Sequence, residues 1–270
     1  MIKLIVSDLD GTLLNRDHQI QTEDQEAIKK ARANDYHICF ASGRMFTELS
    51  QVMQHFDEQF FAVSQNGATV HTNTKKLIAS NHMNTETALE LFRATRIDDL
   101  VNFIYCTDDS FYFTERTKET IAYEARVFGT GVEKHDLESA LASNELQPSK
   151  FSFFGELDKL RSLQADLSAQ FKGKLELYIS DKDCLDVMPV HVSKGEGLSV
   201  LIHHLGLQRD EVACIGDSFN DLSMFALTPY SFAMKNSQEE VQKHARHVVQ
   251  SVADAVEWVF EYNQSLTGSY

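Results

Sequence analysis

Short apolar runs that alternate with amphipathic ones constrain this chain more than any other feature. In the first 83 residues, Lys3–Ser7 (KLIVS), Tyr36–Ala41 (YHICFA) and Phe60–Ser64 (FFAVS) are apolar and short. Each is followed by a glycine-containing break, at Gly11-Thr12, Ser42-Gly43 and Asn66-Gly67. Runs of this length between turn formers are the signature of buried strands. The intervening stretches predict two helices. One starts at Thr22, with Gln25 three residues on as a capping box, and runs through EAIKKARA; the other covers Arg44–His55. Strand–helix–strand–helix–strand implies parallel strands joined by crossover helices.

After Pro189 the same character returns. A helix is expected over Lys194–Leu205, a strand over Val212–Gly216 (VACIG) and a helix over Asn220–Leu227. A short strand at Ser231–Met234, a helix through EEVQKHA and a terminal helix near Val252–Tyr262 follow. The middle differs. From Asn84 a helix (TETALELFRATR) precedes two strand-like runs, VNFIYC and SFYFTE, separated by Thr107-Asp108-Asp109, which suits a hairpin turn. KFSFFG, a helix from Glu156 to Gln170, and the strands LELYIS and CLDVMP complete it. Paired strands with helices grouped between them suggest an α+β layer. The fold class expected is therefore a doubly wound, mostly parallel, Rossmann-like α/β core over residues 1–83 and 189–270, interrupted by an α+β domain over 84–188. In that insert the Phe and Tyr cluster at 103–113 reads as core. Asp181, Asp183 and Asp186 read as a solvated edge, and Gly129-Thr130-Gly131 lacks the strand context of a dinucleotide loop.

Charge excludes some partners. The chain has 270 residues, with 25 Lys and Arg against 40 Asp and Glu, a formal balance of −15. Neither a nucleic acid polymer nor an anionic membrane surface is an expected partner, since both need a basic footprint. Net charge does not describe one pocket, so a local site for a small anion is compatible with it. The four cysteines, Cys39, Cys106, Cys184 and Cys214, are far apart and three lie in apolar runs; buried free thiols and a reducing compartment are expected. MIKLIVSDLDG has too short an apolar run for a signal peptide, and no stretch approaches the ~18 apolar residues of a membrane helix. A cytoplasmic location is the expectation.

The residues with chemical potential sit where the strands end, which is where open α/β sheets bind ligands. Asp8-Leu9-Asp10-Gly11-Thr12-Leu13-Leu14 follows the first strand, and strand alternation would point Asp8 and Asp10 toward one reacting centre. Ala41-Ser42-Gly43-Arg44 follows the second and opens a helix, where a hydroxyl and free N–H groups can hold a phosphate oxygen. Gly216-Asp217-Ser218-Phe219-Asn220-Asp221 follows VACIG and adds two acids and an amide. Lys194 lies in the first turn of a helix, where a cation opposes the helix dipole and so calls for a reason.

These four elements, DLDGTLL at 8–14, SGR at 42–44, Lys194 and GDSFND at 216–221, resemble in type and order the motifs of the haloacid dehalogenase superfamily, and within it the Cof-like phosphatases. SQNGA at 64–68 and SKGEGL at 193–198 are similar to flanking pieces of that family, and the insert resembles its α/β cap. The resemblance implies a Mg²⁺-dependent phosphatase acting on small phosphorylated metabolites: sugar phosphates, nucleotides or phosphorylated cofactors. It implies Asp8 as the nucleophile forming an aspartyl-phosphate, and Asp10 as general acid and then base. Thr12, Ser42, Gly43, Lys194 and Asn220 would bind the phosphoryl oxygens. Arg44 would reach the substrate or pair with a carboxylate. Asp8, the carbonyl of Asp10, and Asp217 would hold the metal, with Asp221 orienting metal-bound water or Lys194. Two other outcomes are weighed: a phosphomutase or phosphotransferase of the same superfamily, and a phosphoacceptor signalling module, against which the acid at Asp10 argues.

Overall fold

The computed structural model describes residues 1–15, 17–56, 59–95, 99–126 and 131–267, without the side chains of His55 and Asp181. Along the chain come β1 (Leu4–Ser7), α1 (Thr22–Ala33), β2 (His37–Ala41), α2 (Phe46–Met53), β3 (Phe61–Ser64), β4 (Thr69–His71) and β5 (Leu77–Ser80). The insert holds α3 (Thr85–Ala94), β6 (Val101–Cys106), β7 (Phe111–Phe113), α4 (Lys118–Glu124), β8 (Val132–Glu133), α5 (Leu137–Ala142), β9 (Pro148–Phe154), α6 (Leu157–Gln170), β10 (Leu175–Asp181) and β11 (Cys184–Pro189). Then follow α7 (Lys194–Leu205), β12 (Val212–Gly216), α8 (Leu222–Phe225), β13 (Tyr230–Met234), α9 (Glu239–His244), β14 (His247–Val249) and α10 (Val252–Thr267). The chain divides into two compact units, Met1–Ala79 with Ser193–Tyr270, and Ser80–Val192. These divisions fall four residues from the expected 83/84 and 188/189.

In the first unit an eight-stranded sheet runs β14-β13-β12-β1-β2-β3-β4-β5. The pairs from β14 to β3 are parallel, and β4 returns antiparallel along β3. Apolar side chains alternate to both faces. Ile5, Ile38, Phe40, Ile215 and Phe232 pack with α1, α2 and α10. Leu4, Val6, Cys39, Val63 and Cys214 pack with α7, α8 and α9. Strand order reverses beside β1: the chain first builds outward through β2 and β3, and later through β12 and β13. A crevice at the carboxyl ends of β1 and β12 follows from that reversal.

Several local expectations need correction. The capping box at Thr22 does not form, because Thr22 is already helical and the extended residue before it is Gln21, which makes no side-chain cap. Glu23 and Asp24 answer the helix dipole there, and Asp24 also accepts the Ala253 N–H at 2.7 Å at the start of α10. The helix expected over Asn220–Leu227 is a 3₁₀ turn, Phe219–Asp221, followed by the four residues of α8. β4, β5, β8 and β14 have no counterpart among the expected strands: at two to four residues each they are too short for a periodicity to register. The expected helix TETALELFRATR ends at Ala94, and Arg96 lies outside the described residues, as do Gly129 and Thr130.

The insert unit carries a six-stranded sheet, β10-β11-β9-β6-β7-β8, antiparallel apart from β7–β8. Ile104, Phe151, Phe153, Leu185 and Val187 face α3, α5 and α6 in one core. On the other face Phe103 packs on Phe111, Phe113 and Phe154 with centroids 5.0–5.7 Å apart. The solvated edge expected for Asp186 is not observed. Asp186 is buried on the same face as Lys150 and Ser152, opposite Ser152 in register, and accepts bonds from Ser152 Oγ at 2.5 Å and Lys150 Nζ at 3.3 Å. Asp183 accepts two bonds from Arg126, at 2.6 and 2.9 Å. All four cysteines are free and buried, and no helix among the described residues is long and apolar enough to cross a membrane.

Candidate active site

β1 ends at Ser7, and the next residue begins the site. Asp8 is 4% exposed, and its N–H is still tied to the carbonyl of Ile215 on β12 at 2.9 Å. The chain then folds back on itself: Leu14 N–H reaches Leu9 O at 2.7 Å and Gly11 N–H reaches Leu14 O at 3.0 Å. Gly11 has φ +87°, and a Cβ there would lie 2.3 Å from Asp217 Oδ2, so only glycine lets this turn approach the β12 loop.

Lys194 explains its own position. Its ammonium, 1% exposed, donates to Asp8 Oδ1 at 2.5 Å and to Asp221 Oδ1 at 2.7 Å. Ser193 caps α7 by accepting the Glu196 N–H at 3.2 Å. The first turn of α7 comes this deep because Gly67 lies against it: a Cβ on Gly67 would sit 2.0 Å from the Ser193 carbonyl oxygen. Asp221 is wholly buried, and its Oδ2 accepts the N–H groups of Asp217 and Ser218 at 2.9 and 3.0 Å. That pull tightens residues 219–221 into the 3₁₀ turn. Thr12 Oγ1 donates to Asp217 Oδ1 at 3.1 Å.

Asp8, Asp217 and Asp221 have carboxylate oxygens within 4.8 Å of one another. Three acids face one buried lysine, so the cluster retains excess negative charge. Burial raises the Asp8 pKa well above the usual carboxylate range, Lys194 works against this, and Asp221 and Asp217 add to it. Burial and then Asp221 raise Asp217 as well. Lys194 is held charged: burial opposes its charge, but the carboxylates of Asp221 and Asp8 outweigh it. A hard cation would offset the excess charge, and an all-oxygen donor set without His or Cys fits Mg²⁺. Both oxygens of Asp221 already accept hydrogen bonds, so it fits better as a holder of Lys194 and the 217–218 backbone than as a direct ligand.

Regular strand pairing ends at Ser7, and the Asp10 carboxylate is engaged by Arg44, from Nε at 2.8 Å and Nη2 at 2.6 Å, a guanidinium that also feels the charge of Asp8. Burial opposes the charge on Arg44, yet the hydrogen bonds and charge of Asp10 leave its pKa raised. Ser42 is buried, with its Oγ accepting the Arg44 N–H at 3.1 Å. Asn220 donates to Asn66 Oδ1 at 3.1 Å.

A family model described as haloacid dehalogenase-like hydrolase matches residues 5–259. The chain belongs to this family. It is accordingly a hydrolase, as the strand-end motifs implied. A Klebsiella pneumoniae protein named HMP-PP phosphatase is 27% identical over 248 residues, covering 92% of this chain and 89% of its own. A protein of the same name from Escherichia coli is also 27% identical over 248 residues. Among solved structures, a Thermotoga maritima protein aligns with TM-score 0.86 and 26% identity over 97% of each chain. A haloacid dehalogenase-like hydrolase from Bacteroides thetaiotaomicron aligns with TM-score 0.84 and 27% identity, covering 96% of this chain and all of the other.

Asn66 is the site residue that sequence reasoning passed over. Gln65, Asn66 and Gly67 all have positive φ, at 50°, 55° and 98°. Their turn ties the second motif to the rest: Gln65 N–H bonds Arg44 O at 2.8 Å and Asn66 N–H bonds Ser42 O at 2.9 Å. The Asn-Gly pair after a buried strand is the available signal; the sequence reads it as a chain break and, within SQNGA, as a flanking piece of the family, with no role for Asn66 itself.

Proposed function

We propose that this hydrolase is a Mg²⁺-dependent phosphatase that cleaves small phosphomonoesters through an aspartyl-phosphate on Asp8. The observation that carries the reading is the Lys194 bond to Asp8 beside Asp217 and Asp221, at the carboxyl ends of β1 and β12. An oxygen of Asp8 attacks phosphorus, the ester P–O bond breaks, and the leaving oxygen takes a proton from Asp10. Asp10, now a carboxylate, takes a proton from water as that water's oxygen attacks the phosphoryl group. The Asp8–phosphorus link breaks and inorganic phosphate leaves. Splitting one hard displacement into two is the gain from covalent catalysis, and the proton transfers are general acid–base work.

Lys194 orients Asp8 and, with Ser42 and the N–H groups around Gly43 and Gly11, stabilises phosphoryl charge. Thr12 and Asn220 line the same strand ends. Asp8, the Asp10 carbonyl and Asp217 would hold Mg²⁺, which when bound neutralises phosphoryl charge. The phosphatase names of the relatives support a small phosphorylated substrate. The insert, a compact unit with its own core, is the proposed cap that selects the substrate's organic part.

Phosphate release from p-nitrophenyl phosphate tests the reading. Wild-type protein should require Mg²⁺ and lose activity in a chelator. Asp8→Asn should lose on the order of 10³-fold or more in kcat with an unchanged circular dichroism spectrum. Wild-type rates from Asp8→Asn would overturn it.

A further inference from the structure

Both oxygens of Asp10 are engaged by one guanidinium, and the two side chains are buried unequally. The Arg44 side chain is 12% exposed, whereas that of Asp10 is 45% exposed. The Arg44 backbone is bolted on both sides: its N–H goes to Ser42 Oγ at 3.1 Å and its carbonyl accepts Gln65 N–H at 2.8 Å. Immediately after it, Glu48 accepts the Met45 N–H at 2.7 Å and fixes the start of α2. Asp10 lies in the turn beyond β1, whose backbone is also closed, by Leu14 N–H on Leu9 O and Gly11 N–H on Leu14 O. The difference is at the side chains: the guanidinium is the buried member, and the carboxylate is the exposed one. His18 completes the group, with Nδ1 3.4 Å from Arg44 Nη2 and 3.7 Å from Asp10 Oδ1.

We infer that Arg44 is a positioning residue that acts through Asp10, and not a ligand of the transferring phosphoryl group. The inference rests on the acid–base reading of Asp10. A planar fork gripping both oxygens sets the plane of the carboxylate as well as its place, which a point charge cannot do. Shifting to a single bond keeps one oxygen on Arg44 and turns the other toward the leaving oxygen. Without the fork, an exposed turn carboxylate samples several rotamers, and only a fraction of them is aligned for proton transfer.

A double-mutant cycle read as kcat/KM on two esters tests this in the intact protein with Mg²⁺. Glycerol 2-phosphate has an alkyl leaving group that needs a proton, and p-nitrophenyl phosphate has one that does not. Arg44→Gln should lower kcat/KM on the alkyl ester by on the order of 10–100-fold and on the aryl ester by less than about 3-fold. Adding it to Asp10→Asn should cost less than about 3-fold more on the alkyl ester, because both changes remove one function. Arg44→Lys should fall between, recovering charge but one bond only. Equal losses on both esters that multiply with Asp10→Asn would mean that Arg44 binds phosphate, and would overturn the inference alone. An Asp10→Asn variant with wild-type kcat/KM on both esters would overturn the acid–base reading, and the inference with it.

Discussion

Among the described residues each unit buries one lysine against acidic side chains, and the two clusters are built differently. In the insert, Lys150 and Ser152 on β9 meet Asp186 on β11, and Lys150 Nζ lies 4.4 Å from the ring centroid of Tyr105 on β6. Three neighbouring strands supply these residues, in register, and the Lys150 ammonium pairs with the Asp186 carboxylate. In the first unit, Lys194 meets Asp8 and Asp221, with Asp217 alongside. These residues come from the ends of two strands and the start of a helix, up to 213 positions apart in the chain, and one ammonium faces three carboxylates. A balanced pair on strands completes a sheet face. An unbalanced cluster on strand-end turns leaves negative charge that a bound cation could offset.

Removing each lysine separates the two most sharply. Lys194→Met leaves buried acids without their ammonium and should destabilise the protein by about 3–5 kcal/mol in chelator. Mg²⁺ at about 100 times its Kd should return ~2.7 kcal/mol, measured by denaturant unfolding with and without the ion. Lys150→Met should also destabilise, but it keeps the acids of the first unit unchanged, so at one Mg²⁺ concentration the ion should stabilise it no more than it stabilises wild type. Lys194→Met, whose acids have lost their competing ammonium, should respond more. An equal Mg²⁺ response from both variants would erase the distinction.

A smaller effect tests how the first cluster is assembled. Gly67→Ala puts a Cβ 2.0 Å from the Ser193 carbonyl oxygen at φ +98°. Backbone strain there should cost about 1–3 kcal/mol and lower turnover, since α7 must retreat with Lys194. Wild-type stability and activity would show that the close approach is dispensable. The smallest effect is expected from the double variant Lys150→Met with Asp186→Leu. Replacing a balanced buried pair by apolar residues should leave stability within about 1 kcal/mol of wild type, although either change alone leaves an uncompensated charge. A loss as large as that of Lys150→Met alone would show that Asp186 has a role beyond the pair.

The sequence was legible where one physical signal dominated. VACIG and the helix Lys194–Leu205 match β12 and α7 residue for residue, because a buried parallel strand is uniformly apolar and Ser193 caps the helix. Lys194 stood out because it opposed a helix dipole, and the structure supplies the reason in Asp8 and Asp221. What the sequence hid depends on three-dimensional context. Asp186 looked like part of a polar hairpin, yet its register opposite Ser152 puts it inside. The grip of Arg44 on Asp10 depends on the turn that Gly11 makes possible beyond Ser7, which no spacing in the sequence shows. The role of Asn66 required knowing that its turn folds against Ser42.

The central claim is that Asp8 carries the phosphoryl group. Asp10→Asn should still form the intermediate from p-nitrophenyl phosphate, whose leaving group needs no proton, but should hydrolyse it slowly. Rapid acid quench of that variant with Mg²⁺, followed by peptide mass mapping, should find one phosphoryl group on Asp8. A phosphoryl group on any other residue, or none while turnover continues, would contradict the account.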